Sequence, residues 1–334
     1  MVIKVSSAAE LASALAAVNP GETIQLAPGS YVGAFVATRK GTASQPITLT
    51  GPATAILQND KSTGKNYGLY LNTADYWVLD GFTVANSQKG IVTDQSNFNV
   101  LKNLSVHDVE DEAVHFRQFS SDNTIQNSTI FNTGLVQPNY GEGVYLGSAK
   151  SNWATYTGNA NTPDTSNRNK VLNNKIGPNV AAEGIDVKEG SSGGLIQGNT
   201  FDTTGISGQN SGDSAIDMKG DNYVVKDNTL TNTPAGPTNC TATTGWDNKN
   251  CLKDGFQSHL NTVNGITYGY NNTFSNNSFN LNTTVGTANY YAIPGGGGYG
   301  INIQSGSTGT IVCSDNTVTN APVGLTNWTV TTCP

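Results

Sequence analysis

Gly184-Ile-Asp-Val-Lys188 and Ala215-Ile-Asp-Met-Lys219 are two copies of one pattern, a small residue followed by alternating apolar and polar positions. A period of two is that of a strand with one buried face, so Ile185 and Val187 should point one way and Asp186 and Lys188 the other. The pattern recurs as Gly68-Leu-Tyr-Leu-Asn72, Gly90-Ile-Val-Thr-Asp94, Ala113-Val-His-Phe-Arg117, Gly143-Val-Tyr-Leu-Gly147, Gly255-Phe-Gln-Ser-His259 and Gly300-Ile-Asn-Ile-Gln304. The equivalent residues Tyr70, Val92 and His115 lie 22 and 23 residues apart, and later spacings stretch to between 30 and 45, which implies inserted loops. A second signal is an Asn just before a short strand, at Asn103, Asn127, Asn174, Asn199, Asn228, Asn277 and Asn316. There its amide can bond backbone groups at a tight bend or stack in a ladder.

A unit of about 22 residues is too short for a propeller blade of ~40–45. It fits one turn of a parallel β-helix, in which each strand stacks on its counterpart in the next turn. The fold class expected is therefore all-β, a single solenoid domain over residues 1–334. Within it, Ala8-Ala-Glu-Leu-Ala-Ser-Ala-Leu-Ala-Ala-Val18 reads as an amphipathic helix with Leu11 and Leu15 four apart. Such a helix, in an N-terminal segment 1–30, would cover the open end and protect a sheet edge. Residues 148–170, 232–254 and 280–298 are expected to be inserted loops, and 305–334 to form the C-terminal end.

Composition agrees. Only 12% of the 334 residues are charged, 36% are apolar and Gly supplies 38, a balance foreign to coiled coils and helical bundles. The net charge of -7 argues against general nucleic-acid binding, which needs a basic face, but permits a local basic patch. No apolar run approaches the ~20 residues of a membrane span. No secretory signal is visible, so the chain from Met1 reads as a mature domain. Cys240, Cys251, Cys313 and Cys333 form no CxxC pair, which favours two disulfides over a metal site; sequence order suggests Cys240–Cys251 and Cys313–Cys333. With sequons at Asn103, Asn127, Asn239, Asn271, Asn276, Asn282 and Asn327, the disulfides point to a secreted glycoprotein, expected to be a monomer.

If the copies stack in register, equivalent residues lie ~4.8 Å apart on adjacent turns. One outward column then reads Tyr70, Val92, His115, Tyr145, Asp186, Asp217, Gln257, Asn302, and the next reads Asn72, Asp94, Arg117, Gly147, Lys188, Lys219, His259, Gln304. Three residues before the first column come Glu112, Glu142, Glu183, Ser214, Asp254 and Tyr299. Lys188 and Lys219 read either as a surface pair bridged to Asp186 and Asp217, or as like charges that favour a neutral amine on one of them, a general base. Glu142 and Glu183 read either as bend residues or, joined by Asp186 or Glu112, as an all-oxygen site for Ca²⁺. His115 reads as a ladder residue more readily than a catalytic one, and His259, in the Lys column, as a candidate for chemistry. Arg117, His115, Tyr145 and Asp254 are candidate substrate contacts. In the insert, Trp153 and Tyr156 would either wall a substrate groove or fold onto the solenoid.

Several stretches resemble polysaccharide lyase family 6, which contains alginate lyases and chondroitinase B. They are Val5-Ser-Ser-Ala-Ala-Glu-Leu-Ala-Ser-Ala-Leu15, Pro20-Gly-Glu-Thr-Ile-Gln-Leu26, Gly29-Ser-Tyr31 and Pro46-Ile-Thr-Leu49. The resemblance implies a right-handed parallel β-helix. Glu183-Gly-Ile-Asp-Val-Lys188 resembles the segment holding that family's metal-binding Glu and catalytic Lys base, and Ala215-Ile-Asp-Met-Lys-Gly220 the segment holding its catalytic Arg. Two positions depart: Lys219 stands at the Arg, and Ala181 where a second metal-binding Glu is expected, a place Glu142 could fill from the previous turn. The implied activity is β-elimination on a uronic-acid polysaccharide, with Lys188 as base and Lys219, His259 or Tyr145 as acid or carboxylate clamp. The alternatives are a glycoside hydrolase using Asp186 and Asp217, a C5 epimerase, and a non-catalytic carbohydrate-binding solenoid.

Overall fold

The computed structural model describes residues 1–59, 66–233, 252–282 and 297–333. Strands of two to six residues stack into three long sheets of twelve, ten and ten strands, every pairing within them parallel. One short antiparallel hairpin, Asn261–Val263 with Ile266–Tyr268, stands apart from them. Successive strands of the chain visit the three sheets in rotation, so each circuit adds one rung to all three, as a β-helix requires.

The register matches the spacing of the repeat. Val144 pairs with Ile185 and Ile185 with Ile216, while Tyr145 pairs with Asp186 and Asp186 with Asp217. Asp217 continues to Gln257 and Asn302, and Tyr145 leads back through His115, Val92 and Tyr70. The inward partners Val114, Phe116, Val144, Leu146, Ile185, Val187, Ile216 and Met218 are fully buried in one continuous core. Beyond the strand ends the second column holds its register through backbone bonds, Lys188 N to Leu146 O, Lys219 N to Val187 O and His259 N to Met218 O.

Asn side chains brace one corner of the coil. Asn174, Asn199, Asn228, Asn277 and Asn316 are buried, and each of the first four passes an Nδ2–H to the Oδ1 of the next. Asn103 and Asn127, grouped with them by sequence, stand outside this ladder in left-handed backbone (φ 54° and 51°). Ser128 occupies the rung before Asn174, its backbone N–H donating to Asn174 Oδ1.

A helix, α1, spans Ala8–Ala17, with the Ser7 hydroxyl accepting from Glu10 N and Leu11, Ala14 and Leu15 buried. It packs against Val2–Val5, Thr23–Leu26, Gly29–Val32 and Val36–Ala37, the first strands of the three sheets. Cys313 and Cys333 form a disulfide. The expected Cys240–Cys251 pair lies outside the described residues, as does most of the loops at 232–254 and 280–298. No helix among the described residues is long and apolar enough to cross a membrane.

Candidate active site

The outward columns form the floor of a groove of about 860 Å³ that crosses six turns, from Lys89 to His259. Segments that leave the coil between strands supply the walls. On one side, residues 148–168 carry a short helix, Trp153–Thr157, and meet the hairpin at 261–268. Lys150 Nζ donates to Asn261 Oδ1 (2.9 Å), Asn264 Nδ2 to Asn161 Oδ1 (2.8 Å), and Trp153 packs edge-on against Tyr268. On the other side, Pro138–Tyr140 meets Gln209–Ser211, with Asn210 Nδ2 donating to Asn139 O (3.2 Å). The hairpin escaped the sequence reading, although Asn264-Gly265 between short apolar runs is a strong hairpin signal. Tyr140 and Lys150 on the walls, and Lys89, Asp111, Glu189 and Asp213 along the groove, were missed because they lie outside the repeated pattern.

The central floor is densely charged. Lys188 is ion-paired with Asp186, and Lys219 with Asp217; Lys219 also lies 3.6 Å from Asp186, and His259 3.7 Å from Asp217. The two Asp Oδ1 atoms are buried and accept no hydrogen bond from any described residue. Burial disfavours both ammonium groups, but the surrounding carboxylates outweigh it. Asp186, Glu183 and Asp217 raise the pKa of Lys188, and Asp186 and Asp217 that of Lys219. Of the two readings of the lysine pair this favours the bridged one: the effect of the carboxylates outweighs that of the like charge. The Asp217 carboxyl, against the effect of its burial, is held below its ordinary value by Lys219, His259 and Lys188. The hydrolase alternative needs one of the Asp pair ionised and the other protonated as acid; this site holds Asp217 ionised and pairs Asp186 with Lys188.

Glu142 and Glu183 lie on adjacent turns beside Asp186, with carboxylate oxygens of all three within 4.8 Å of one another. Burial, then the charges of Glu112 and Asp186, push Glu142 up to about 8, and burial with Asp186 and Asp217 pushes Glu183 well above the carboxylate range. The native state therefore holds protons that the unfolded chain has released, and stability must fall as pH rises through this range. Between pH 6.5 and 8 the melting temperature is expected to drop, with a slope of up to about 1.4 kcal/mol per pH unit for each such group. Glu112, held down to about 2, and Asp217 titrate below that window. His115, with its pKa lowered by burial, contributes the opposite slope only at or below the ordinary value of 6.5. Melting curves that are flat across this range, or unaltered by Glu142→Gln, would refute this.

Tyr145 lies between the Lys pair and His115. Lys188 Nζ is 5.1 Å from its ring centroid, and the His115 ring meets it edge-on at 4.3 Å. Burial, with Asp186 and Glu142, raises the phenol well above its ordinary value, so Tyr145 keeps its proton. His115 lines the groove, but both ring nitrogens are engaged, Nδ1 with Glu112 Oε1 (2.7 Å) and Nε2 with Gly147 O (2.8 Å).

Three expected substrate contacts are corrected. Arg117 is buried, with its guanidinium bonded to Asp94, the Tyr156 hydroxyl and the Tyr67 hydroxyl. Asp254 is buried and accepts from the backbone of Gly298 and Tyr299 and from the Asn302 and Gln257 amides. Trp153 is 1% exposed and donates its indole N–H to Ser148 O, so it anchors the insert and leaves the groove to Tyr156. In each case an extended polar or aromatic side chain found partners within the protein.

The N-terminal portion, residues 3–143, matches the family model described as "Pel9A-like, right handed beta helix region". No curated protein matches the chain. Among solved structures, an alginate lyase from Paenibacillus sp. str. FPU-7 is 36% identical, with a TM-score of 0.81 over 98% of each chain. Two others share the fold. A mannuronic acid specific polysaccharide family 6 lyase from human gut microbiota is 15% identical, with a TM-score of 0.55 over 98% of this chain and 66% of that one. The mannuronan C-5 epimerase A-module of Azotobacter vinelandii is 12% identical, with a TM-score of 0.56 over 99% and 100%.

Proposed function

We propose, from the premise that the chain belongs to the right-handed parallel β-helix polysaccharide lyases, that it cleaves a uronic-acid polysaccharide of the alginate type by β-elimination. The observation that carries this is the meeting of a Lys–Asp pair, a second Lys and a protonated Tyr on one groove floor. β-Elimination needs a neutralised substrate carboxylate, a base for the C5 proton and an acid for the departing oxygen. Lys219 is the cation for the carboxylate. Lys188 is the base, with Asp186 as its proton store. A polymer lying in the groove excludes water, and a drier site favours the neutral pair, amine and carboxylic acid, over the ion pair. The Lys188 proton then moves to Asp186, the amine takes the C5 proton, and the C4–O bond breaks as the Tyr145 hydroxyl protonates the leaving oxygen.

Among the described residues, eight carboxyl groups line the groove against five lysines, and burial keeps protons on Glu142 and Glu183. A divalent cation would take the place of those protons. Oxygens within 4.8 Å of one another suit Ca²⁺, which binds oxygen at about 2.3–2.6 Å. Glu142 and Glu183 would hold the ion beside Asp186, which stays free to take the Lys188 proton, and when bound the ion would supply positive charge for the substrate carboxylate. Ca²⁺ should then raise the melting temperature at pH 8 in the wild type and not in Glu183→Gln; an unchanged wild type sinks the metal.

As further parts of this reading, the protein is secreted and acts as a single monomeric domain, and α1 caps the N-terminal end of the coil. Incubation with a panel of uronic-acid polymers tests the activity. Elimination creates a conjugated unsaturated sugar that absorbs in the ultraviolet, and absence of that signal with every polymer overturns the proposal.

A further inference from the structure

His259 sits two turns from Lys188 in the same column, about 10 Å along the groove at one strand spacing per turn. Its side chain is 39% exposed, and its Nε2 meets Gln257 Oε1 at 2.8 Å, while Nδ1 has no hydrogen-bond partner among the described residues. Which nitrogen carries the proton depends on which end of the Gln257 amide faces the ring, and backbone groups decide that through a relay.

The relay starts at Ile303. Its backbone N–H donates to Asn327 Oδ1 (2.8 Å), and its carbonyl accepts from Asn327 Nδ2 (2.9 Å), so the Asn327 amide has one orientation. The same Nδ2 donates to Asn302 Oδ1 (3.0 Å), which turns the Asn302 NH₂ towards Asp254 Oδ2 (2.9 Å). Asp254 Oδ1 takes the backbone N–H groups of Gly298 and Tyr299, both at 2.9 Å. With three donors already converging on it, Asp254 acts as an acceptor, and it faces the Gln257 NH₂ at 3.1 Å. Asp213 Oδ1 accepts from the same Nε2 at 2.8 Å. The Gln257 carbonyl oxygen is thereby aimed at His259, and an oxygen there requires a proton on Nε2.

We propose that Gln257 fixes the neutral His259 ring as the Nε2–H tautomer, so that Nδ1 accepts a hydrogen bond from a sugar hydroxyl of the polymer about 10 Å from the cleaved bond. This deepens the lyase reading and rests on it for the identity of the ligand. It gives His259 a binding role and withdraws it from the proton transfers, since its one proton is committed to Gln257. Gln257 is a positioning residue, and the relay behind it spans three turns of the coil.

The ring's ¹⁵N shifts, measured on substrate-free protein, should report a protonated Nε2 and an unprotonated Nδ1 in the wild type, and a mixture of tautomers in Gln257→Leu. Kinetics on the cleaved polymer separate the two nitrogens. The Asn amide falls at the place of Nδ1 and the Gln amide at that of Nε2. His259→Asn should keep KM within about threefold, while His259→Ala and His259→Gln raise it about tenfold, the worth of one neutral hydrogen bond. Turnover should change less than KM in all three. A neutral wild-type ring protonated on Nδ1 overturns the proposal, as does His259→Gln binding as well as His259→Asn. Because the ¹⁵N result needs no substrate, it stands even where no polymer yields an unsaturated product, and that outcome counts against the lyase reading alone.

Discussion

Lys188→Arg is expected to lower turnover by about 10²–10⁴-fold with the fold retained, the share that general base catalysis contributes. Arginine keeps a positive charge beside Asp186, so the buried carboxylate keeps a partner, but a guanidinium does not release its proton at any pH at which the protein is folded. Lys188→Ala should be as inactive and also less stable, because it leaves Asp186 with only the more distant Lys219, at 3.6 Å, as an ion-pair partner among the described residues. The pair of variants separates chemistry from architecture. Circular dichroism establishes folding, and ultraviolet absorbance of the product measures turnover. If Lys188→Arg retains a tenth of wild-type turnover, Lys188 is not the base.

The alternation in Gly184-Ile-Asp-Val-Lys188 was enough to place the core, because a strand buried on one face has only one way to present Ile185 and Val187. Stacking such strands in register then determined both outward columns, and the pairings from Tyr70 to Asn302 follow the sequence alignment of the copies. What sequence could not supply is the partner of each polar side chain once the chain is coiled. Arg117 is satisfied by Tyr67, Asp94 and Tyr156, which lie 50, 23 and 39 residues away. A column position says that a side chain leaves the coil outward, not whether another loop then covers it.

The charge state of Lys188 was left open by the sequence for a related reason. The like charge of Lys219 was visible as a neighbour on the next turn, whereas the side-chain bend that brings Lys188 back onto Asp186 is a matter of rotamer. Glu142 and Glu183 were identified as a pair from their places before the strands. Asp186 and Glu112 were both open as the third carboxylate, and the structure brings Asp186 to the pair. The groove walls were legible only as interruptions of the repeat, since contacts such as Lys150 with Asn261 join segments 111 residues apart.

Asn199→Leu is expected to cost about 3–6 kcal/mol of unfolding free energy, out of proportion to a change that keeps side-chain size nearly constant. Asn199 Oδ1 accepts from both Asn174 N (2.9 Å) and Asn174 Nδ2 (3.0 Å), and its Nδ2 donates to Val171 O (2.8 Å) and Asn228 Oδ1 (3.0 Å). All of this lies in the interior, with Asn174, Asn199 and Asn228 each 1% exposed. Leucine removes the acceptor for two donors and the donor for two acceptors in one step. Asn228 Oδ1 retains the Asn199 backbone N–H (2.9 Å), so the uncompensated losses fall on the Asn174 groups and the Val171 carbonyl. Each buried group left unpaired costs about 1–3 kcal/mol. Asn103 makes the control. It also precedes a short strand, but it lies exposed with φ 54°, where glycine is at no disadvantage, so Asn103→Gly should shift the unfolding midpoint little. Denaturant unfolding of the two variants decides the matter, and equal, small shifts for both would mean that the stacked apolar core alone holds the turns together.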